Sequence, residues 1–105
     1  MSKSSITIDE VKLPPIHPGE ILAGEMETLG VSANALARDL DVPTNRVTAI
    51  LAGKRGITAD TALRLARYFG TSARLWMNLQ TAYDLAAAEA ESGARIDARV
   101  RVRAA

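Results

Sequence analysis

Residues 31–55 read VSANALARDLDVPTNRVTAILAGKR, and the reading of the whole chain turns on them. Ser32 is a good N-cap, because its hydroxyl can accept from an otherwise free backbone N–H of a first helical turn. The helix it opens carries Ala35, Leu36 and Leu40 on one face and is ended by Asp41 and Pro43. Pro43 suits the start of a further helix, whose apolar stripe is Val47, Ile50 and Leu51 and whose stop is Gly53. Two short helices separated by about three residues form an αα unit with the second helix presented outward.

The outward face of that second helix is distinctive. With Val47, Ile50 and Leu51 turned inward, Thr44, Asn45, Thr48 and Ala49 fall outward or near it, and Arg46 can reach from the first turn. No acidic residue occurs between Val42 and Gly56. A helix N-terminus also offers free N–H groups and a positive dipole end, both suited to phosphates and base edges. Asparagine pairs bidentately with adenine and arginine with guanine, while threonine meets a thymine methyl or a phosphate. These pairings assign sequence reading to Thr44, Asn45, Arg46, Thr48 and, by a methyl contact, Ala49. Ser32, Arg38, Lys54 and Arg55 are then the phosphate anchors that set register. The alternative is a helix of an ordinary bundle whose threonines, asparagine and arginine merely face solvent.

Working outward, residues 1–16 pass through Lys12-Leu13-Pro14-Pro15, which prolines bar from helix, and read as an extended arm. Ile21, Leu22, Met26 and Leu29 follow helical spacing between Pro18 and the stop at Gly30. Downstream, Thr58 caps a fourth helix with Ala62, Leu63, Leu65, Ala66 and Phe69 inward, stopped by Gly70. Ser72 caps a fifth that runs to about Glu91. The fold expected is all-α, five helices in a single domain over residues 17–91. Leu75, Trp76, Leu79 and Tyr83 cover more than one face of the fifth helix, so they are candidates for a dimer interface, with ordinary core as the alternative. The tail, residues 92–105, alternates from Ile96 to Arg103 with period two. That pattern suits an edge strand or a disordered tail equally, and such a tail suits a DNA-contacting arm, a partner-binding segment or a strand swapped across a dimer, with a solvated charge run as the default reading.

Composition narrows the function. The chain has 105 residues, 48% of them hydrophobic, enough for one small helical core. It has no cysteine, which removes disulfides, thiolate metal sites and a cysteine nucleophile, and fits a reducing compartment. His17 is the single histidine, with neither nucleophile nor ligand partners at useful spacing, and reads as a cap or packing residue. Glu20, Glu25 and Glu27 read as a solvated face. An enzyme is not expected, nor a cofactor or metal. No apolar run approaches the ~20 residues of a membrane span, and the start lacks the apolar stretch of a signal peptide, so a cytoplasmic protein is expected. The net charge of +1 is unevenly distributed. Residues 1–30 set two lysines against five acids, residues 31–56 set Arg38, Arg46, Lys54 and Arg55 against Asp39 and Asp41, and the last thirteen residues set four arginines against Asp97. A local basic face matters more to a phosphate backbone than the total does.

Several blocks then agree in order: HPGEIL at 17–22, the helix pair with NRV and LAGKR, ITADTALRLARYFGTS at 57–72 and LWMNLQTAYDL at 75–85. Over residues 17–86 the chain resembles the HigA-type antitoxins of the phage-repressor-like (XRE) helix-turn-helix superfamily. The resemblance implies a five-helix repressor-like fold, homodimerisation, binding to the palindromic operator of its own operon, and neutralisation of a HigB toxin, a RelE-like mRNA endonuclease. It departs from the family at Ala49, where a longer or polar side chain is common, and at Ala73 and Arg74 after the last cap. The arginine-rich tail lies outside it. A repressor of the same superfamily without a toxin, and a module binding an acidic protein, are the alternatives.

Overall fold

The computed structural model describes residues 15–104, which form five helices in the order α1 (Pro18–Leu29), α2 (Ala33–Leu40), α3 (Thr44–Leu51), α4 (Ala59–Phe69) and α5 (Ala73–Arg99). Of the expected N-terminal arm, only residues 15 and 16 fall within this range. Both are non-helical and exposed.

Local chemistry sets the boundaries. Three helices begin on a hydroxyl cap: Ser32 accepts from Ala35 N–H, Thr58 from Thr61 N–H and Ser72 from Leu75 N–H. α1 begins on a different device. His17 Nδ1 accepts from Gly19 N–H at 2.9 Å, with Pro18 at the first helical position. Gly30 and Gly70 end α1 and α4 in the left-handed conformation, but α2 ends on Asp41, a non-glycine residue at φ 59°.

The core gathers one stripe from each helix: Leu22 and Met26 of α1, Leu36, Ala37 and Leu40 of α2, Val47 and Ile50 of α3, Ala62 and Leu65 of α4, and Trp76 of α5. Ile57, in the α3–α4 loop, is buried with them. α3 is held between α1 and α2, while α4 packs on α2 and α5. Three apolar positions of the expected stripes lie outside the core. Leu63 is 64% exposed, and of the spaced apolar positions of α1 both Ile21 (38%) and Leu29 (55%) are exposed as well, because the stripe of α4 narrows to Ala62 and Leu65 and that of α1 to Leu22 and Met26.

α5 corrects the reading of the tail. It runs 27 residues to Arg99, eight beyond the expected end near Glu91, so Ile96–Arg99 is helix rather than strand. Among the described residues no strand offers an edge for that alternation to pair with, whereas alanine at 86–88, 90, 94 and 98 carries high helix propensity and Arg99 suits the negative helix end. A helix of this length spans about 40 Å, consistent with the 52 Å long axis of the described chain. From Ala88 onward its residues are exposed except for half-buried Ser92 and Gly93. No described helix is long and apolar enough to cross a membrane.

Candidate nucleic-acid interface

α2, the turn and α3 present one continuous surface. Val47 and Ile50, each 1% exposed, pin α3 to the body, and this rotation turns Thr44, Asn45 and Thr48 outward. Pro43 caps α3 without any side-chain hydrogen bond, so among the described residues the first N–H groups of α3 have no side-chain acceptor. Thr48 Oγ1 donates back to the Asn45 backbone C=O at 3.4 Å, and no hydrogen bond among the described residues engages the Asn45 side-chain amide. Ala49 is half-buried beside them and can offer only its methyl group.

The anchors flank this turn. Ser32, at the N-cap of α2, and Arg38, on α2, are exposed. Lys54 and Arg55 are exposed just past α3, where Gly53 at φ 75° and the Lys54 N–H to Ala49 C=O bond (2.9 Å) reverse the chain. Among the described residues, Arg38, Lys54 and Arg55 make no ion pair. The loop that carries the last two is fixed from below. Gln80 Oε1 accepts from buried Ile57 N–H at 2.6 Å, and Gln80 Nε2 donates to Asp84 at 2.9 Å. Nothing in the sequence singles out Gln80, since its partner lies 23 positions away.

Arg46 departs from expectation. Its Nη1 donates to Asp60 Oδ2 of α4 at 2.8 Å, its side chain is 25% exposed, and its Nε is buried with no partner among the described residues. A surface free of acids along the sequence from 42 to 56 therefore acquires a carboxylate through space. The same Asp60 oxygen accepts from Arg64 Nε at 2.8 Å, and Arg64 Nη1 continues to the carbonyls of Leu40 (2.8 Å) and Asp41 (3.1 Å). The hydrogen bond from Arg64 and then that from Arg46 hold the Asp60 carboxyl below its ordinary pKa.

The dimer candidates also divide. Trp76 is 2% exposed, donates from Nε1 to Thr71 Oγ1 at 3.0 Å and lies 5.8 Å from the Phe69 ring, so it belongs to the core and not to an interface. Leu79 is half-buried against the same core. Tyr83, also half-buried, packs edge-on to His17 with centroids 4.8 Å apart. Leu75 alone of the four is exposed, at 44%.

Comparisons place this geometry among known proteins. The helix-turn-helix family model matches residues 25–76. Virulence-associated protein I of Dichelobacter nodosus is 55% identical over 86 residues, covering 81% of this chain and 80% of that protein. The structure of an addiction module antidote protein of the HigA family from Coxiella burnetii superposes with a TM-score of 0.85 at 58% identity, covering 87% of this chain and all of that one. The Pseudomonas aeruginosa antitoxin HigA, solved with the higBA promoter, superposes with a TM-score of 0.81 at 50% identity over 83% of this chain and 96% of that one.

Proposed function

This chain belongs to the HigA antitoxin family of helix-turn-helix proteins, and from that premise we propose that it represses its own operon by binding a palindromic operator as a homodimer and neutralises a HigB-like mRNA endonuclease. The family is one of DNA-binding regulators rather than catalysts. The observation that carries the proposal is the opening turn of α3: Thr44, Asn45 and Thr48 stand exposed, flanked by Ser32, Arg38, Lys54 and Arg55. Base edges are read by Asn45, with methyl and hydroxyl contacts from Thr44, Thr48 and Ala49. Phosphates are held by the flanking residues and by the free N–H groups of α3. Arg46 contributes through its place against Asp60, beside the turn rather than extended from it.

Two such turns about 34 Å apart, related by a two-fold axis, enter successive major grooves of one face of a duplex. The second copy is met along the side of α5 that Leu75 leaves open, with the exposed edges of Leu79 and Tyr83. A protein of this kind acts where DNA and ribosomes are, in the cytoplasm. The alternative of a repressor without a toxin keeps the same surface and loses only the protein partner.

The test is a mobility shift with the promoter fragment preceding the chain's own reading frame, a scrambled duplex and rising salt. It is paired with co-expression of any short basic reading frame directly upstream. The expected result is preference for the promoter fragment, loss of binding on the order of a thousandfold between about 50 and about 200 mM salt, and co-purification with the neighbour's product. Equal binding to both duplexes would refute the operator reading, and a specific shift without a co-purifying neighbour would favour the plain repressor.

A further inference from the structure

We propose that Asp60 is a positioning residue for operator choice, acting through Arg46: it clasps the recognition helix in place and withholds a guanidinium from sequence-independent phosphate binding. The inference rests on the DNA-binding reading above.

A carboxylate beside a phosphate-binding surface repels the ligand, so Asp60 counts against affinity unless it does something else. Its geometry shows what else it does. One oxygen accepts from Arg46 of α3 and from Arg64 of its own helix, both at 2.8 Å. Arg64 then donates to the carbonyls of Leu40 and Asp41, where α2 ends in a left-handed residue at φ 59°. The first turns of α3 and α4 thus meet at a single carboxylate, and Arg64 ties that carboxylate to the end of α2. Arg46 lies directly after Asn45, and its Nε is buried with no hydrogen-bond partner among the described residues. An arginine left free at that position would take any phosphate in reach, strengthening operator and random DNA alike. Held by Asp60, it instead fixes the angle at which Thr44 and Asn45 are offered to the groove.

The test compares the intact chain with D60N and D60E, titrating the promoter fragment and its scrambled counterpart at several salt concentrations, with circular dichroism as a check on folding. Asp60 is 56% exposed, and the isosteric D60N leaves the core untouched. For D60N, preference for the promoter fragment is expected to fall about tenfold or more. Binding to the scrambled duplex should hold or tighten, with a salt slope steeper by about 1 as a freed guanidinium finds a phosphate. D60E, which keeps the charge, should restore much of the preference. A preference within about twofold of wild type in D60N, or parallel losses on both duplexes, would overturn the proposal while leaving the operator reading standing. Absence of any preference in the wild-type chain would overturn both.

Discussion

Alanine at position 19 and alanine at position 24 should move the stability of this domain in opposite directions, although both positions lie in α1. A Cβ added to Gly19 would fall inside the contact distance of the Ile50 carbonyl oxygen, 2.9 Å from the Ile50 carbonyl carbon and 3.1 Å from His17 Nδ1. The first two are backbone atoms of α3, and the third is the atom that caps α1. The two backbone atoms cannot turn aside as a flexible side chain would, so G19A must pry α1 from the C-terminal turn of the recognition helix. Overpacking of this kind costs about 1–3 kcal/mol or more. The helix-propensity gain of alanine over glycine, about 1 kcal/mol at most, offsets only part of that. A Cβ added to Gly24 would have no heavy atom of the described residues within 4 Å, so G24A collects the propensity gain alone. The midpoint of thermal unfolding, followed by far-UV circular dichroism at matched protein concentration, should fall by about 5–15 °C for G19A and rise by about 3–6 °C for G24A. A G19A protein as stable as wild type, or shifts of the same sign, would refute the close packing of α1 on α3.

Other outcomes follow from the same contacts. N45A should relax discrimination at one operator base pair by about 1–3 kcal/mol, whereas K54A should weaken operator and scrambled duplexes together and reduce the salt slope by about 1; filter-binding titrations with single-base variants separate the two. W76A should cost about 3–5 kcal/mol of stability, seen in urea unfolding, because Trp76 is core and not a contact between copies. A Leu75→Glu change should weaken self-association in sedimentation with little loss of monomer stability, since that side chain is already 44% exposed. The Asp60 carboxyl has a lowered pKa in the folded chain, so its contribution is present above the unfolded carboxylate value and is lost as pH falls through the folded one. The melting difference between wild type and D60N should therefore be flat from about pH 5 to 8 and shrink below about pH 4.

What could be read in the sequence was local. Ser32, Thr58 and Ser72 announce helix starts through hydroxyl caps only three residues from their partners, and Gly30 and Gly70 announce stops through backbone freedom. The outward turn at Thr44–Asn45 follows from the period of Val47 and Ile50 within one helix. What escaped was contact across chain distance. Asp60 reaches Arg46 over 14 positions and Gln80 reaches Ile57 over 23, and no periodicity encodes either. The tail misleads for a related reason: alternation from Ile96 to Arg103 describes a strand only if a neighbour exists to bond it, while the alanine-rich run before it supplies every helical bond locally. Counting apolar residues alone puts Leu63 inside. It lies outside, beside Asp39, Tyr68, Arg64 and Arg67 around a shallow cleft of about 440 Å³ between α2 and α4.

The most direct probe of the recognition surface is a residue-resolved one. Backbone amide resonances of the labelled chain, followed as the promoter duplex is added, should change most at Ser32, Thr44, Asn45, Thr48, Lys54 and Arg55, all of which stand exposed in the free protein. Perturbations gathered instead along α5 or the α2–α4 cleft, with the first turn of α3 unmoved, would contradict the account.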